Sequence, residues 1–206
     1  MLEAVNLTKA YNNEAVVSDF NLKIKKGDFI AITGESGKGK TTILNMIGLL
    51  EKPDFGEVIV EGMVNLSRKE VMRMQRYKFG YLFQNYALIE NASVEANLKI
   101  ALEYRKDVNK KSLMKEALHF VNLSAAILGK KIYQLSGGEQ QRVAIARLYL
   151  KESEYVFADE PTGNLDVKNR DMVFDLLKKL NEMGKAVVYV THDLSLAEKA
   201  DRWIKL

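Results

Sequence analysis

The stretch GESGKGKTT, residues 34–42, follows directly on the apolar run FIAIT at 29–33. Glycine loses more backbone freedom on folding than any other residue, so Gly34, Gly37 and Gly39 make this loop costly to order. The cost is offset where bare N–H groups must turn toward an anion. The run fits G-x-x-x-x-G-K-[ST] through Gly34, Gly39, Lys40 and Thr41. TTILNMIGLL at 41–50 then has helical spacing and is expected to run on until just before Pro53. Strand, glycine loop and helix in that order present backbone amides and a positive helix end to a phosphate. In such a loop Lys40 neutralises the β- and γ-phosphates and the Thr41 hydroxyl holds Mg²⁺. A nucleotide site is expected over Gly34, Glu35, Ser36, Gly37, Lys38, Gly39, Lys40, Thr41 and Thr42.

The chain of 206 residues fits one domain with room for an inserted lobe. At 47% hydrophobic and 28% charged residues the composition is globular. A net charge of +4 is too small to argue for nucleic acid, and no nucleic-acid partner is expected. The absence of cysteine excludes disulfides and thiolate metal sites. No apolar run is long enough to span a bilayer, and MLEAVNLTKAYNNE has no signal-peptide character. Any membrane role therefore needs spans from another polypeptide.

LEAVNLT and AVVSDFNLKI read as antiparallel strands, with a turn at Lys26-Gly27-Asp28 and a further strand in GEVIVEG. SRKEVMRMQRYK is a basic helix with Val71 and Met74 facing inward. From Leu88 to Lys131 the pattern is helical only, in SVEANLKIALEYRK and KKSLMKEALHFVNL. Strands return at YVFA (155–158) and AVVYVT (186–191), separated by the helical RDMVFDLLKKLNEMG. Strand and helix in alternation imply a parallel α/β sheet. The expected layout is one domain over 1–206, its core from 1–87 and 132–206, with 88–131 inserted.

YVFADE ends a buried strand on Asp159 and Glu160, at the sheet end where α/β ligands bind. Asp159 suits a place beside the Mg²⁺, and Glu160 the polarisation of an attacking water. YVTHD repeats the pattern and sets His192 within reach of a γ-phosphate. The other histidine, His119 in EALHFV, reads as an ordinary helix residue. LSGGEQQRVAIAR at 135–147 opens with a capping box, Ser136 and Glu139, around Gly137 and Gly138. Two glycines in a first turn are poor helix formers. They suit a second bare helix end that approaches an anion closely.

LSGGEQQR resembles the signature motif of the ATP-binding-cassette (ABC) ATPases, and the agreement extends over essentially the whole chain. The resemblance implies a RecA-like P-loop NTPase core with an N-terminal antiparallel β subdomain and an inserted α-helical subdomain. It implies ATP and Mg²⁺ as cofactors, and Tyr11 stacked on adenine. Gln84 in GYLFQN becomes a γ-phosphate and Mg²⁺ contact, and Asp166 in GNLD (163–166) part of a dimer loop. His192 becomes the switch histidine, while Lys40, Gln84, Glu160 and His192 carry catalysis. In this family two copies meet head to tail, so Ser136, Gly137, Gly138 and Glu139 of one would face the ATP held by Lys40 of the other. The segment from Tyr86 to Glu95 is the expected contact for a membrane permease.

ADEPTGNLD and GYLFQNYALIENASVEANL are similar to the macrolide-export, lipoprotein-release and cell-division branch, and to small bacteriocin exporters. The chain stops at ADRWIKL, close to where the core fold ends, which implies a separate permease and a place on the inner face of the cell membrane. A non-transporting cell-division or stress-signalling complex is equally compatible; a soluble ABC ATPase fits less well. Three positions depart from the family pattern. Lys38 replaces a small residue, and Ile132 and Ser153 stand where proline is frequent.

Overall fold

A computed structural model describes residues 1–105, 109–163 and 165–206. The strands in chain order are β1 (Leu2–Tyr11), β2 (Glu14–Ile24), β3 (Phe29–Thr33), β4 (Phe55–Val60), β5 (Phe79–Leu82), β6 (Tyr155–Asp159), β7 (Ala186–Val190) and β8 (Arg202–Lys205). The α-helices are α1 (Lys40–Ile47), α2 (Arg68–Tyr77), α3 (Val94–Ala101), α4 (Lys110–Phe120), α5 (Gly137–Leu150), α6 (Val167–Glu182) and α7 (Leu194–Ala197). Short 3₁₀ turns cover Ala125–Gly129 and Ile132–Gln134.

FIAIT is apolar throughout because both faces of its strand are covered. Ile30 and Ile32 join a cluster with Ile43, Leu44 and Ile47 of α1 and with the strands of the antiparallel sheet. Phe29 and Ala31 point the other way, into a cluster built with α3, α4, α5 and α6. Side chains alternate along a strand, so a continuous apolar run is what a two-sided core demands. The central sheet is parallel in the order β5-β6-β7-β3-β8, and the second sheet is antiparallel in the order β2-β1-β4. This is the expected α/β architecture. The helices between Leu88 and Lys131 pack on α5, whose Val143, Ala144 and Ile145 are buried in the same cluster.

Four details differ from the sequence expectation. Helix α1 stops at Ile47 rather than running to Leu50. Leu49 turns left-handed (φ 58°), and the Leu50 N–H closes on the Asn45 carbonyl at 2.8 Å, so the chain leaves the helix well before Pro53 acts. Helix α3 ends at Ala101, short of Arg105, and Lys106 lies outside the described residues. Strands β5 and β8 were not anticipated. Each has four residues, too few for a periodic signal, and each exists by pairing with β6 or β3.

Two of the departures from the family pattern are accommodated locally. Ile132 is fully buried where it opens its 3₁₀ turn. Ser153 is buried beside Lys185, whose Nζ donates to the Ser153 carbonyl at 2.7 Å and the Lys151 carbonyl at 2.9 Å. Burial lowers the Lys185 pKa from the ordinary 10.5 to about 8.

Two tests follow from this packing. Gly56 has φ 79°, and a Cβ there would sit 2.3 Å from the Asn6 carbonyl oxygen. Gly56→Ala should cost roughly 2–4 kcal/mol, from backbone strain plus overpacking, read by denaturant unfolding. For Lys185, the unfolded chain holds its proton up to about pH 10.5 while the folded chain releases it near 8. The unfolded state binds more protons between those values, so this lysine makes stability rise with pH there. The stability of wild type minus that of Lys185→Met should therefore increase from pH 8 to 10.5; a flat difference would mean Lys185 is not desolvated.

Candidate nucleotide site

The loop after β3 takes its shape from two left-handed glycines, Gly37 (φ 83°) and Gly39 (φ 79°). At Gly39 there is no room for a side chain. A Cβ would lie 2.7 Å from the Val16 carbonyl oxygen and 2.8 Å from Val17 Cγ2, so β2 presses directly on the loop. Gly39 is also the N-cap of α1 and supplies no side-chain cap, and the first turn carries no acidic residue. The positive end of α1 is thus left for an external anion. Lys40 folds back over the loop, its Nζ donating to the carbonyls of Gly34 at 2.8 Å and Glu35 at 2.9 Å.

The end of β6 meets this loop. Thr41 Oγ1 donates to Asp159 Oδ1 at 3.0 Å across 118 residues of chain. Burial pushes the Asp159 carboxyl up, and the Thr41 hydroxyl and Lys40 charge partly oppose it. Glu160 is held in an unusual left-handed conformation (φ 42°), its N–H donating to the Val190 carbonyl at 3.1 Å. Its Oε2 lies 2.9 Å from His192 Nδ1. The sequence placed Glu160 and His192 separately on two strand ends; the parallel register of β6 and β7, with Asp159 opposite Val190, makes them partners.

One cavity of about 500 Å³ collects nine of the expected residues: Ser36, Gly37, Gly39, Lys40, Thr41, Thr42, Gln84, Glu160 and His192. Gly163, the first residue of the expected dimer loop, also lines it, as does Val16, which was not anticipated. Val16 sits in an ordinary strand pattern that carries no signal for such a role. A second cavity of about 430 Å³ holds Gln84 with Asp159, Phe83 and Asn85. Lys38 is exposed and is not among the lining residues of the 500 Å³ cavity.

The second expected anion contact stands apart. Ser136 caps α5, accepting from the Glu139 N–H at 3.4 Å while its own N–H donates to Glu139 Oε2 at 2.9 Å. This is the expected capping box, and the hydrogen bonds hold the Glu139 carboxyl below its usual range. Ser136 and Gly137 are exposed, and none of residues 136–139 lines the phosphate cavity. Asp166 caps α6, with Oδ1 accepting from the Asn169 N–H at 3.0 Å. The Asn169 side chain packs where a Gly138 Cβ would be, 2.9 Å from its Oδ1. Asn164 of the expected dimer loop lies outside the described residues. Tyr11 ends β1 and is 43% exposed.

Comparison with known proteins agrees with this geometry. Residues 17–163 match the ABC transporter family. The chain is 40% identical, over its whole length, to the macrolide export ATP-binding/permease protein MacB of Campylobacter jejuni, and spans about a third (33%) of that protein. It is 39% identical to the lipoprotein-releasing system ATP-binding protein LolD of Aquifex aeolicus, covering all of this chain and 93% of LolD. A solved dimer of the cassette MJ0796 from Methanocaldococcus jannaschii, in a post-hydrolysis state with ADP and Pi, superposes with a TM-score of 0.90 at 38% identity. It covers the whole chain and 94% of the solved one. A glycine loop pressed on β2, a Thr41–Asp159 link, a capped LSGGE helix and full-length identity converge: the chain belongs to the ABC transporter family, as an ATP-binding cassette.

Proposed function

We propose that two copies of this cassette bind and hydrolyse ATP at a shared interface and so drive a separate membrane permease of the export type. One observation carries the reading: the cavity holding Lys40, Thr41, Gln84, Glu160 and His192 is not lined by the Ser136 helix tip. It is half of a site. The second half is supplied when the Ser136–Glu139 tip of another copy closes over the γ-phosphate. MJ0796 was solved as a dimer with ADP and Pi, and the printed roles of MacB and LolD, macrolide export and lipoprotein release, favour an exporting partner.

Within the half-site, the loop amides and Lys40 hold the β- and γ-phosphates. Thr41 and Asp159 offer a hydroxyl and a carboxylate already in contact, with Gln84 beside Asp159, and hard oxygen donors of this kind fit Mg²⁺. When bound, Mg²⁺ would neutralise charge on the phosphate oxygens. Glu160 takes a proton from water as its oxygen bonds to the γ-phosphorus, and the bond from that phosphorus to the β,γ-bridging oxygen breaks to leave ADP and phosphate. His192, bonded to Glu160, keeps that carboxylate aimed and reaches toward the γ-phosphate.

A second candidate for the permease contact lies beside the expected Tyr86–Glu95 segment. A groove of about 610 Å³ opens between α2 and α3, lined by Met72, Tyr77, Phe83, Ile100 and Tyr104 among others. Of the expected segment 86–95 only Ala87 reaches it. We place the permease segment in this groove and treat the 88–131 helices as the lobe that it moves. No helix among the described residues is long and apolar enough to cross a membrane, so the cassette would sit on the inner face of the bilayer through its partner.

Two experiments test the mechanism. Glu160→Gln should retain ATP binding and lose at least about 100-fold in turnover, the lower bound of the usual general-base range, measured by phosphate release; normal hydrolysis would overturn the base assignment. Ser136→Arg should abolish turnover while a monomer still binds ATP. Mixing Ser136→Arg with Lys40→Ala should restore part of the activity, since one composite site then has both an intact loop and an intact tip; the absence of any recovery would contradict a shared site.

A further inference from the structure

The exposed Tyr11 ring is restrained by charges that the phosphate site does not use. A half-exposed aromatic side chain ordinarily samples several rotamers. Tyr11 does not have that freedom, because its hydroxyl donates to Glu51 Oε1 at 2.5 Å, a short charge-assisted bond. Glu51 stands in the loop that leaves α1, so the bond ties the end of β1 to the helix that begins at the phosphate loop. Lys9, two residues before Tyr11, braces the same carboxylate. Its Nζ lies 3.5 Å from Glu51 Oε1 and 2.9 Å from Asp54 Oδ1, and donates to the Lys52 carbonyl at 3.0 Å. Asp54 Oδ2 in turn accepts from the Ala10 N–H at 2.9 Å, and Lys9 Nζ sits 5.7 Å from the centre of the Tyr11 ring.

The protonation states agree with the geometry. The bond to Glu51 pushes the Tyr11 phenol up, so the proton stays on the donor, while the Thr42 hydroxyl acts on the same phenol in the opposite sense. Tyr11 does not itself line the phosphate cavity, but Thr42, which acts on its phenol, does, so the hydroxyl end of the ring neighbours a lining residue. The Ala10 amide and then Lys9 hold Asp54 below the usual carboxylate range, and Asp54 raises Lys9.

We infer that Glu51, braced by Lys9 and Asp54, is a positioning residue that fixes the Tyr11 ring at the rim of the phosphate cavity as a preformed face for the nucleotide base. The inference rests on the nucleotide-site reading above. Its physical content is preorganisation: the freedom of the ring is given up when the chain folds rather than when the ligand binds. Glu51 touches neither phosphate nor base, so its effect reaches the ligand only through Tyr11 and only when a base is present.

The test compares ATP with inorganic tripolyphosphate, which has the phosphates and no base, by calorimetric titration of the full chain. Glu51→Ala and Tyr11→Phe should each weaken ATP about fivefold to tenfold, the equivalent of one hydrogen bond, and leave tripolyphosphate affinity unchanged. The double variant should be no weaker than either single one. Glu51→Gln, which keeps an oxygen for the phenol and should fold where alanine does not, should bind ATP within about twofold of wild type. Losses that multiply in the double variant, a parallel loss of tripolyphosphate, wild-type ATP affinity in Glu51→Ala, or a Glu51→Gln as weak as Glu51→Ala would each overturn the positioning role. A wild-type chain that binds neither ligand would instead overturn the nucleotide site, and this inference with it.

Discussion

The free positive end of α1 is the constraint on which the rest of the structure depends. An anion-binding helix end must be bare of acidic side chains and of a competing cap, and α1 is both. Such an end cannot be left to fluctuate. Gly39 is wedged against Val16, Lys40 is bonded to the loop carbonyls, and Thr41 is bonded to Asp159. Two sheets and a helix thereby converge on one loop of six residues. The antiparallel sheet acts here as a wall that keeps the phosphate loop in its left-handed turns.

The same logic explains why the groups proposed for catalysis sit at strand ends. Parallel pairing of β6 with β7 and of β7 with β3 brings all three carboxyl ends to one rim. Asp159, Glu160 and His192 leave that rim within reach of the loop, and no long side chain has to span the gap. Glu160 holds a left-handed backbone, a local cost typical of sites where geometry matters more than ease of folding. The LSGGE tip obeys the same chemistry as α1, a helix start with bare glycines, yet none of its residues lines the phosphate cavity. Two bare helix starts that do not share a cavity in one chain are what the proposed two-chain site would bring together.

Local chemistry was legible in the sequence, and non-local chemistry was not. FIAIT and GESGKGKT announce a buried strand and a phosphate turn within thirteen residues, and Ser136 with Glu139 announces a capped helix within four. Each signal is complete in itself. By contrast, β5 and β8 owe their existence to neighbours far along the chain, and four residues cannot carry a pattern. The end of α1 was misplaced because Leu49, an unexpected residue for a left-handed cap, ends the helix before Pro53 does. The Glu160–His192 contact spans 32 residues and follows only from register. Glu51 was invisible for the same reason, since its partner Tyr11 lies 40 residues away at the end of β1. The groove proposed for the permease, too, is assembled from α2, α3 and the end of α5, and no one segment advertises it.

The central claim is that one chain holds half a site. Sedimentation velocity on Glu160→Gln, with and without ATP and Mg²⁺, measures it directly. The account predicts a single-chain mass without nucleotide and twice that mass with ATP, reverting to one chain when Ser136→Arg is added. A species that stays at the mass of one chain while ATP is demonstrably bound would contradict it.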